Sequence, residues 1–581
     1  MATEELVTEQ FQFLGIEVHN DVLTKCVRLC EEYDKDAETF IEQWMAFSLT
    51  HLNGAPPTIE NLSLLETREF SKNTASKSYA HTNETFDSST GTSLPLYGAA
   101  LRTHSENDVL SNYMTTTPKR IKVEKDQKAV QNEICPVTYS PTASSTKYTS
   151  RTNQGSVVHS YGSEELLQNL VKWDNLNMSE INVTQIPNDD GELYTTAKFG
   201  FELLHEKASV FDGHIRYISQ CIMKKNGFSE SVSVTHKTQN EVYVSGRIDC
   251  DANARLNAKS VVLQGTWEHS LSTSVSVDLD NVKQYSLFPG QVVVMRGTNP
   301  RGDVFIAQEI FSDGSRSIPD RKADMMNTLK GDLSMVVAAG PYTTSNNLAY
   351  EPLKDFITYI NTHKPQVVIM TGPFLDADHT KVKDNSMAET FKSFFEKLTD
   401  SLAEIHTTSP YTKIYIVSSL KEAFHLNIYP TPPYSVRKKY ANIHFLPDPC
   451  FININGVVVS VTSTDVLMHI SQEEISFGSG GDKLSRLAGH VISQQCMYPL
   501  WPPPLTHQVD AALWAAHAQL PTTPHILVLP SNFRYFVKDI NGCLVVNPEH
   551  LTKGMGGGTF ARLLISDIDN SNSIAAQIVR I

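Results

Sequence analysis

The sequence predicts a multidomain chain: a small all-α N-terminal domain, a disordered linker, an all-β barrel and a layered α/β domain. Three observations carry that reading. Apolar residues recur at helical spacing over residues 1–75, and the composition then turns to Ser and Thr through residues 76–150. Residues 151–320 show a period nearer two, and residues 321–581 alternate short apolar runs with amphipathic helices. At 581 residues the chain has room for several domains with sizeable cores.

The N-terminal segment reads as four short helices. Leu6, Phe13 and Leu14 precede Gly15, a C-terminal stop. Asn20 or Asp21 begins a second helix with Val22, Cys26, Leu29 and Cys30 on one face. Phe40, Ile41, Trp44 and Phe47 mark a third, and Pro57-Thr58 starts a fourth with Leu62 and Leu65 inward. Cys26 and Cys30, four apart, read better as core thiols than as a metal pair.

Of the 80 residues from Ser71 to Ser150, 25 are Ser or Thr and none is Trp, too little apolar area to offset the entropy of ordering. Within this linker, Thr117-Pro118-Lys119-Arg120 fits what a proline-directed kinase reads, so Thr117 is a phosphorylation candidate. Lys119, Arg120, Lys122 and Lys125 form a weak nuclear-import pattern.

Between 151 and 320, "EVYVSGRIDCD", "SVVLQGTW", "SVSVDLD" and "LFPGQVVVMRGTNPRGDVFIAQEIF" are short strands broken by Gly and Pro turns, the pattern of an OB-fold barrel. Arg301-Gly302-Asp303 is expected to be only a hairpin turn. Exposed aromatics interleaved with Lys and Arg, the stacking platform of a single-strand binder, are absent from the region. From 321 on, "SMVVAAGPYT", "QVVIMTGPFL", "KIYIVSSLKE" and "HILVLPSNF" are buried strands ending in turns. Function is expected at their carboxyl ends.

The net charge of −15 argues against autonomous gripping of DNA phosphates and for protein partners. Eight cysteines without a CxxC pair, after an acidic polar start, indicate free thiols in a reducing compartment. No apolar run approaches the ~18 residues of a membrane span.

"QVVIMTGPFLDADH" raises the sharpest question, because Asp376, Asp378 and His379 follow a buried strand, where a two-metal phosphoesterase gathers its ligands. Such a site needs many convergent oxygen and imidazole donors. Here the first strand ends in Gly340-Pro341-Tyr342 and the second in Gly372-Pro373, neither of which offers a side-chain ligand at the expected place. The third ends in Ser418-Ser419-Leu420-Lys421-Glu422, and the chain has no Gly-Asn dipeptide and no His-x-His pair among its 20 histidines. Asp212-Gly213-His214 lies upstream of the domain, and Asp376 is expected to cap a turn. Glu473 and Glu474 read as a solvated pair, and "KGMGGGTF" as a turn with close backbone approach rather than a phosphate loop. The expectation is a phosphoesterase-like scaffold without metals, cofactors or catalytic residues. The alternatives are an active metal-dependent phosphodiesterase or nuclease, and a single-strand nucleic-acid-binding OB protein.

Several strings then act together. "QYSLFPGQVV", "AAGPYTTSNN", "GPFLDA", "VTSTDVL", "NFRYFVKDINGCLVVNP" and "GGTFARL" run in order over residues 240–581. In them the chain resembles the B-subunit family of replicative DNA polymerases, the non-catalytic accessory subunits, and specifically the DNA polymerase alpha–primase branch. The resemblance implies an OB domain and a catalytically inactive calcineurin-like phosphodiesterase domain of two packed sheets flanked by helices. It implies that the two form a platform for the C-terminal domain of the catalytic subunit and, through it, the small and large primase subunits. It further implies a nuclear role in initiating DNA replication, other replication proteins as partners of the N-terminal domain, and only indirect or weak contact with DNA. The metal-ligand positions fall on Gly340, Pro341, Gly372 and Pro373. Tyr429, Pro433 and Tyr434 in "NIYPTPPYSV" are interface candidates, as exposed aromatics and prolines.

Overall fold

The computed structural model describes residues 20–32, 40, 44, 57–65, 146–171, 181–186, 193, 196–252, 254–321, 331–384, 386–566 and 573–581. Two compact units result, Met1–Arg102 and Thr103–Ile581.

In the first unit, helices Asn20–Glu32 and Ile59–Leu65 fall where the apolar spacing placed them. Thr58 starts the latter, its hydroxyl accepting the Asn61 N–H at 3.2 Å. Cys26, Leu29, Cys30, Phe40, Trp44, Leu62 and Leu65 are buried. Burial pushes the Cys26 thiol up to about 12, so it is an inert core group. The expected helix at Leu6–Leu14 and most of the third, with Thr117 and the nearby lysines, lie outside the described residues.

The second unit holds a closed five-stranded barrel and a layered α/β domain. In barrel order the strands are Thr238–Cys250, Val261–Gln264, Ser274–Asp278, Val304–Phe311 and Val292–Asn299. Alternate residues such as Val244, Ile248, Leu263, Val275 and Phe305 fill its interior. Arg301-Gly302-Asp303 is the turn between its last two strands, with Gly302 at φ +90°. A 23-residue helix, Leu204–Asn226, packs Ile215, Ile218 and Ile222 on Val292 and Val294 and stops at left-handed Gly227. This helix corrects the period-two reading of residues 151–320.

The α/β domain has two sheets face to face. One runs Val157–Tyr161, Ile574–Arg580, Thr559–Ile565, Leu333–Ala339, Val367–Thr371, Lys413–Val417, Ile443–Leu446; the other runs Phe536–Ile540, Cys543–Asn547, Ile526–Val528, Val457–Val461, Cys450–Ile454, Val183–Gln185. Inner-face residues such as Val337, Ile369, Val459, Ile526 and Val546 form one core. Val368 and Met370, on the other face of their strand, pack under helices Glu351–His363 and Phe391–Ala403. Burial on both faces is why "VVIM" is continuously apolar instead of alternating. Helices Val466–Glu473, Lys483–Ser493 and Ala511–His517 cover the second sheet's outer face.

The boundary at 150/151 needs correcting. Tyr148, expected in the linker, is buried in the α/β core and donates to Asp355 at 2.8 Å. Strands Val157–Tyr161 and Val183–Gln185, expected in the barrel domain, are edge strands of the two α/β sheets. They pair with strands hundreds of residues later, a partnership that local sequence does not encode.

Candidate functional site

The parallel strands Leu333–Ala339, Val367–Thr371 and Lys413–Val417 end side by side, and their loops surround a cavity of about 200 Å³. Its lining includes Gly340, Pro341, Gly372, Pro373, Asp376, Lys421, Asp465, Asn532, His550 and Lys553.

The two Gly-Pro loops meet here and interlock. The Gly340 N–H donates to Thr371 O and the Gly372 N–H to Val417 O, each at 2.9 Å. A Cβ on Gly340 would stand 2.1 Å from the Pro373 carbonyl oxygen, and one on Gly372 2.4 Å from the Tyr434 hydroxyl. Tyr342 stacks on Phe374 with centroids 4.5 Å apart, and its hydroxyl sits 3.0 Å from the carbonyls of Ala338 and Thr371. Glu422 braces the loops from below, accepting the N–H groups of Phe374 and Leu375 at 2.7 Å each and the Tyr434 hydroxyl at 2.9 Å. Burial raises its carboxyl to about 7, against the pull of those hydrogen bonds.

The charged groups around the cavity are committed elsewhere. Asp465 caps the helix Val466–Glu473 through the Met468 N–H at 3.1 Å and accepts the Asn532 N–H at 2.8 Å. His550 donates Nδ1–H to the Gly340 carbonyl at 2.6 Å; burial above all lowers it to about 4, so the ring is neutral. Lys553 is paired with Glu549. Asp376 accepts the Asp378 N–H at 2.8 Å, the expected turn cap, and burial raises its carboxyl. Lys421 brings an ammonium to the same cavity.

A pair of divalent ions does not fit this donor set. Two carboxylates and one imidazole face two ammonium groups and three prolines. Among the described residues, no three His, Cys, Asp or Glu are grouped to hold a metal. Asp378 and His379 are not among the cavity's lining residues: Asp378 is exposed against Lys383, and His379 caps the turn at Thr380 with its ring on the Thr344 carbonyl at 3.1 Å. Asp212 and His214 stand on the long helix, Asp212 taking the Trp267 N–H and Arg216, His214 edge-on to Trp514.

Three expectations change. Tyr429 and Tyr434 are buried, Tyr434 against Gly372 and Tyr429 against Tyr498, so neither ring is an exposed anchor. Pro433 between them is partly buried. Glu474 is not solvated: it is buried and bound by Arg486 through Nε at 2.8 Å and Nη2 at 3.1 Å, with His490 and Ser286 also on it. The glycine run behaves as expected, since a Cβ on Gly558 would lie 2.0 Å from the His550 carbonyl oxygen. Sequence reasoning gave no role to Lys421, Asp465, His550 or Lys553. Asp465 alone carried a local signal, an acidic residue opening an apolar helix.

Three family models match the chain. They describe the B subunit of DNA polymerases alpha and epsilon over residues 335–538, the OB domain of the DNA polymerase alpha B subunit over 208–313, and the N-terminal domain of that B subunit over 4–72. The chain is 32% identical to the mouse DNA polymerase alpha B subunit across 607 residues that cover all of both chains. The chain belongs to the DNA polymerase alpha B-subunit family. The Drosophila melanogaster member is 32% identical with full coverage of both chains. The Saccharomyces cerevisiae member is 24% identical over 64% of this chain and 61% of its own. The OB match starts within the long helix and ends just past the last barrel strand, so the family's OB unit includes the helix that the period-two reading missed.

Proposed function

We propose that this chain is the non-catalytic accessory subunit of a DNA polymerase alpha–primase complex. Its barrel and its calcineurin-like, inactive α/β domain together hold the C-terminal domain of the polymerase catalytic subunit and, through it, the small and large primase subunits. In that position it supports RNA–DNA primer synthesis when replication begins in the nucleus. The N-terminal helical domain, on its linker, engages other replication proteins, and Thr117 is the point at which phosphorylation acts on that tether. Contact with DNA is indirect or weak.

The observation that carries the reading is the cavity at the strand ends. Two lysines, a neutral histidine and two carboxylates already engaged by backbone N–H groups line it, where a phosphoesterase needs a dense anionic donor set. A scaffold needs the sheets, which present its surfaces, and not the ligands. The barrel and the α/β domain are also fastened by buried side chains of the helix Lys483–Ser493 and its end, as a two-domain platform requires.

The test is purification of the tagged full chain from dividing cells under native conditions, with stoichiometry measured. One polymerase catalytic subunit and two primase subunits per chain are expected, with no manganese-dependent phosphodiester hydrolysis above that of a mock preparation. Recovery of the chain alone, or hydrolysis that co-purifies with it, overturns the proposal.

A further inference from the structure

The barrel and the α/β domain share a small ribbon. Strand Tyr285–Leu287, in the connection between barrel strands Ser274–Asp278 and Val292–Asn299, pairs antiparallel with Ile475–Phe477, just after the helix Val466–Glu473. Phe477 stands opposite Tyr285, and the two rings stack with centroids 5.8 Å apart and planes 28° from parallel. Tyr285 is half-buried, but Phe477 is 59% exposed, so the pair presents an aromatic surface to water. Neither segment carries a stacking platform by itself. The fold assembles one from two distant parts of the chain.

Cations gather beside these rings. A Cβ on Gly478 would stand 2.3 Å from the Lys283 carbonyl oxygen, so Lys283 flanks the ribbon. The Ser479 hydroxyl donates to the Tyr285 carbonyl at 2.7 Å, and Arg486 reaches the Ser479 carbonyl at 3.4 Å. Cβ atoms on Gly480 and Gly481 would meet nothing within 4 Å, so the loop from Phe477 to Lys483 leaves its main chain open to approach. At Lys483 burial first, then Arg486 and Arg255, hold the ammonium below its ordinary value against the pull of Glu474. The acids nearby are largely spoken for. Asp482 is held by Lys538 and the N–H groups of Leu484 and Ser485, and Glu474 by Arg486 and His490. Asp280, close to Tyr285, offsets one of the cations. On a chain of net charge −15 this is a local reversal of sign, and an anion relieves its self-repulsion.

We propose that this patch binds single-stranded nucleic acid, with one base stacked on Phe477 and the flanking phosphates on Lys283, Lys483 and Arg255. A strand of bases and phosphates uses the ring and the cations together. An acidic peptide would use the cations and leave the ring in water. An apolar protein face would find one exposed ring among charges. Few phosphates are neutralised, so the contact is weak and falls steeply with salt. The proposal gives a place to the weak DNA contact of the accessory-subunit reading. Its test uses this chain alone, so its failure leaves that reading standing.

The experiment is fluorescence anisotropy of labelled oligothymidylate and oligouridylate, each of about twelve residues, titrated with the full chain at low and at moderate salt. Wild type binds at low salt and loses most of that affinity at moderate salt. Phe477→Ala weakens binding about tenfold at unchanged melting temperature, because the ring is exposed, and Phe477→Trp matches wild type. Lys283→Gln combined with Lys483→Gln weakens binding and flattens its salt dependence. Tyr411→Ala, at an exposed aromatic beside a different strand, leaves affinity unchanged. Binding of either oligonucleotide with this pattern supports the proposal, and the tighter of the two identifies the sugar. Failure of wild type to bind either, or equal binding by Phe477→Ala and the lysine double variant, overturns it. Equal competition by a polyglutamate peptide of the same length means a plain cation patch, and overturns it too.

Discussion

The side-chain amide of Gln494 pairs with the main chain of Val292 as a neighbouring strand would, accepting its N–H at 2.7 Å and donating to its carbonyl at 3.0 Å. Gln494 follows a helix of the α/β domain and Val292 begins a barrel strand, so one buried amide joins the two folds. It also donates to the Ser312 carbonyl at 3.0 Å. Gln494→Ala leaves a buried N–H and carbonyl unpaired and is expected to destabilise the two-domain unit by about 2–4 kcal/mol. Denaturant unfolding followed from Trp267 on the barrel and Trp514 in the α/β domain checks it. Wild type gives coincident transitions, and the variant's barrel transition separates to lower denaturant.

A second fastening makes a pH prediction. Burial alone would push the Glu474 carboxyl up, but His490, Arg486 and Ser286 outweigh it and hold it at about 2, against an ordinary 4.5. The folded value is depressed, so the stabilisation is fully present above pH 4.5 and is lost as pH falls through about 2. It amounts to about 3 kcal/mol. Glu474→Gln should therefore melt well below wild type at pH 7, and the gap should narrow steadily as pH falls below 4.5. A gap that does not change with pH would refute the account.

Two glycines predict opposite outcomes for the same substitution. Gly340→Ala puts a methyl 2.1 Å from the Pro373 carbonyl oxygen, a backbone atom that cannot move without parting the two loops, so little soluble protein is expected. Gly213, in the middle of the long helix, has no atom within 4 Å of a built Cβ. Gly213→Ala should stabilise by about 1 kcal/mol through helix propensity. Expression level and thermal melting of the two variants side by side decide it.

The sequence makes the strands of the α/β domain legible because burial on both faces writes itself locally, as in Val367–Met370. The Gly-Pro turns that end two of these strands are legible too, since Gly and Pro after a buried apolar run mark a turn whatever the fold. What escapes are features set by distant partners. Strand Val157–Tyr161 belongs to a sheet completed by Ile574–Arg580, and nothing near residue 157 says so. Glu474 sits in a run of charge and looks solvated, yet Arg486 and His490, 12 and 16 residues later, bury it. Tyr429 and Tyr434 lie among prolines and look like a surface loop, while Glu422 and Ser419 draw Tyr434 inside. Helix Leu204–Asn226 did leave a trace in Phe211, Ile215, Ile218 and Ile222, a helical spacing obscured by the strand-rich text that follows.

Asp376 gives the last prediction, because a metal site and a scaffold require opposite things of it. A metal-ligand aspartate must be ionised, and its metal offsets the cost of burying the charge. Here burial raises the Asp376 carboxyl above its ordinary value, with Lys421 giving only partial compensation. A folded value above the unfolded one means that stability is lost as pH rises through it, so at pH 7.5 the charge is a burden. Asp376→Asn removes the charge and keeps an oxygen for the Asp378 N–H. The variant should match wild type or melt slightly higher at pH 7.5, with the advantage shrinking at pH 4. It should recover the polymerase catalytic subunit with unchanged stoichiometry, and millimolar manganese should shift the melting of neither protein. A manganese-dependent rise in wild-type melting that Asp376→Asn abolishes would mean the cavity still holds a metal, and would move the chain from scaffold to enzyme.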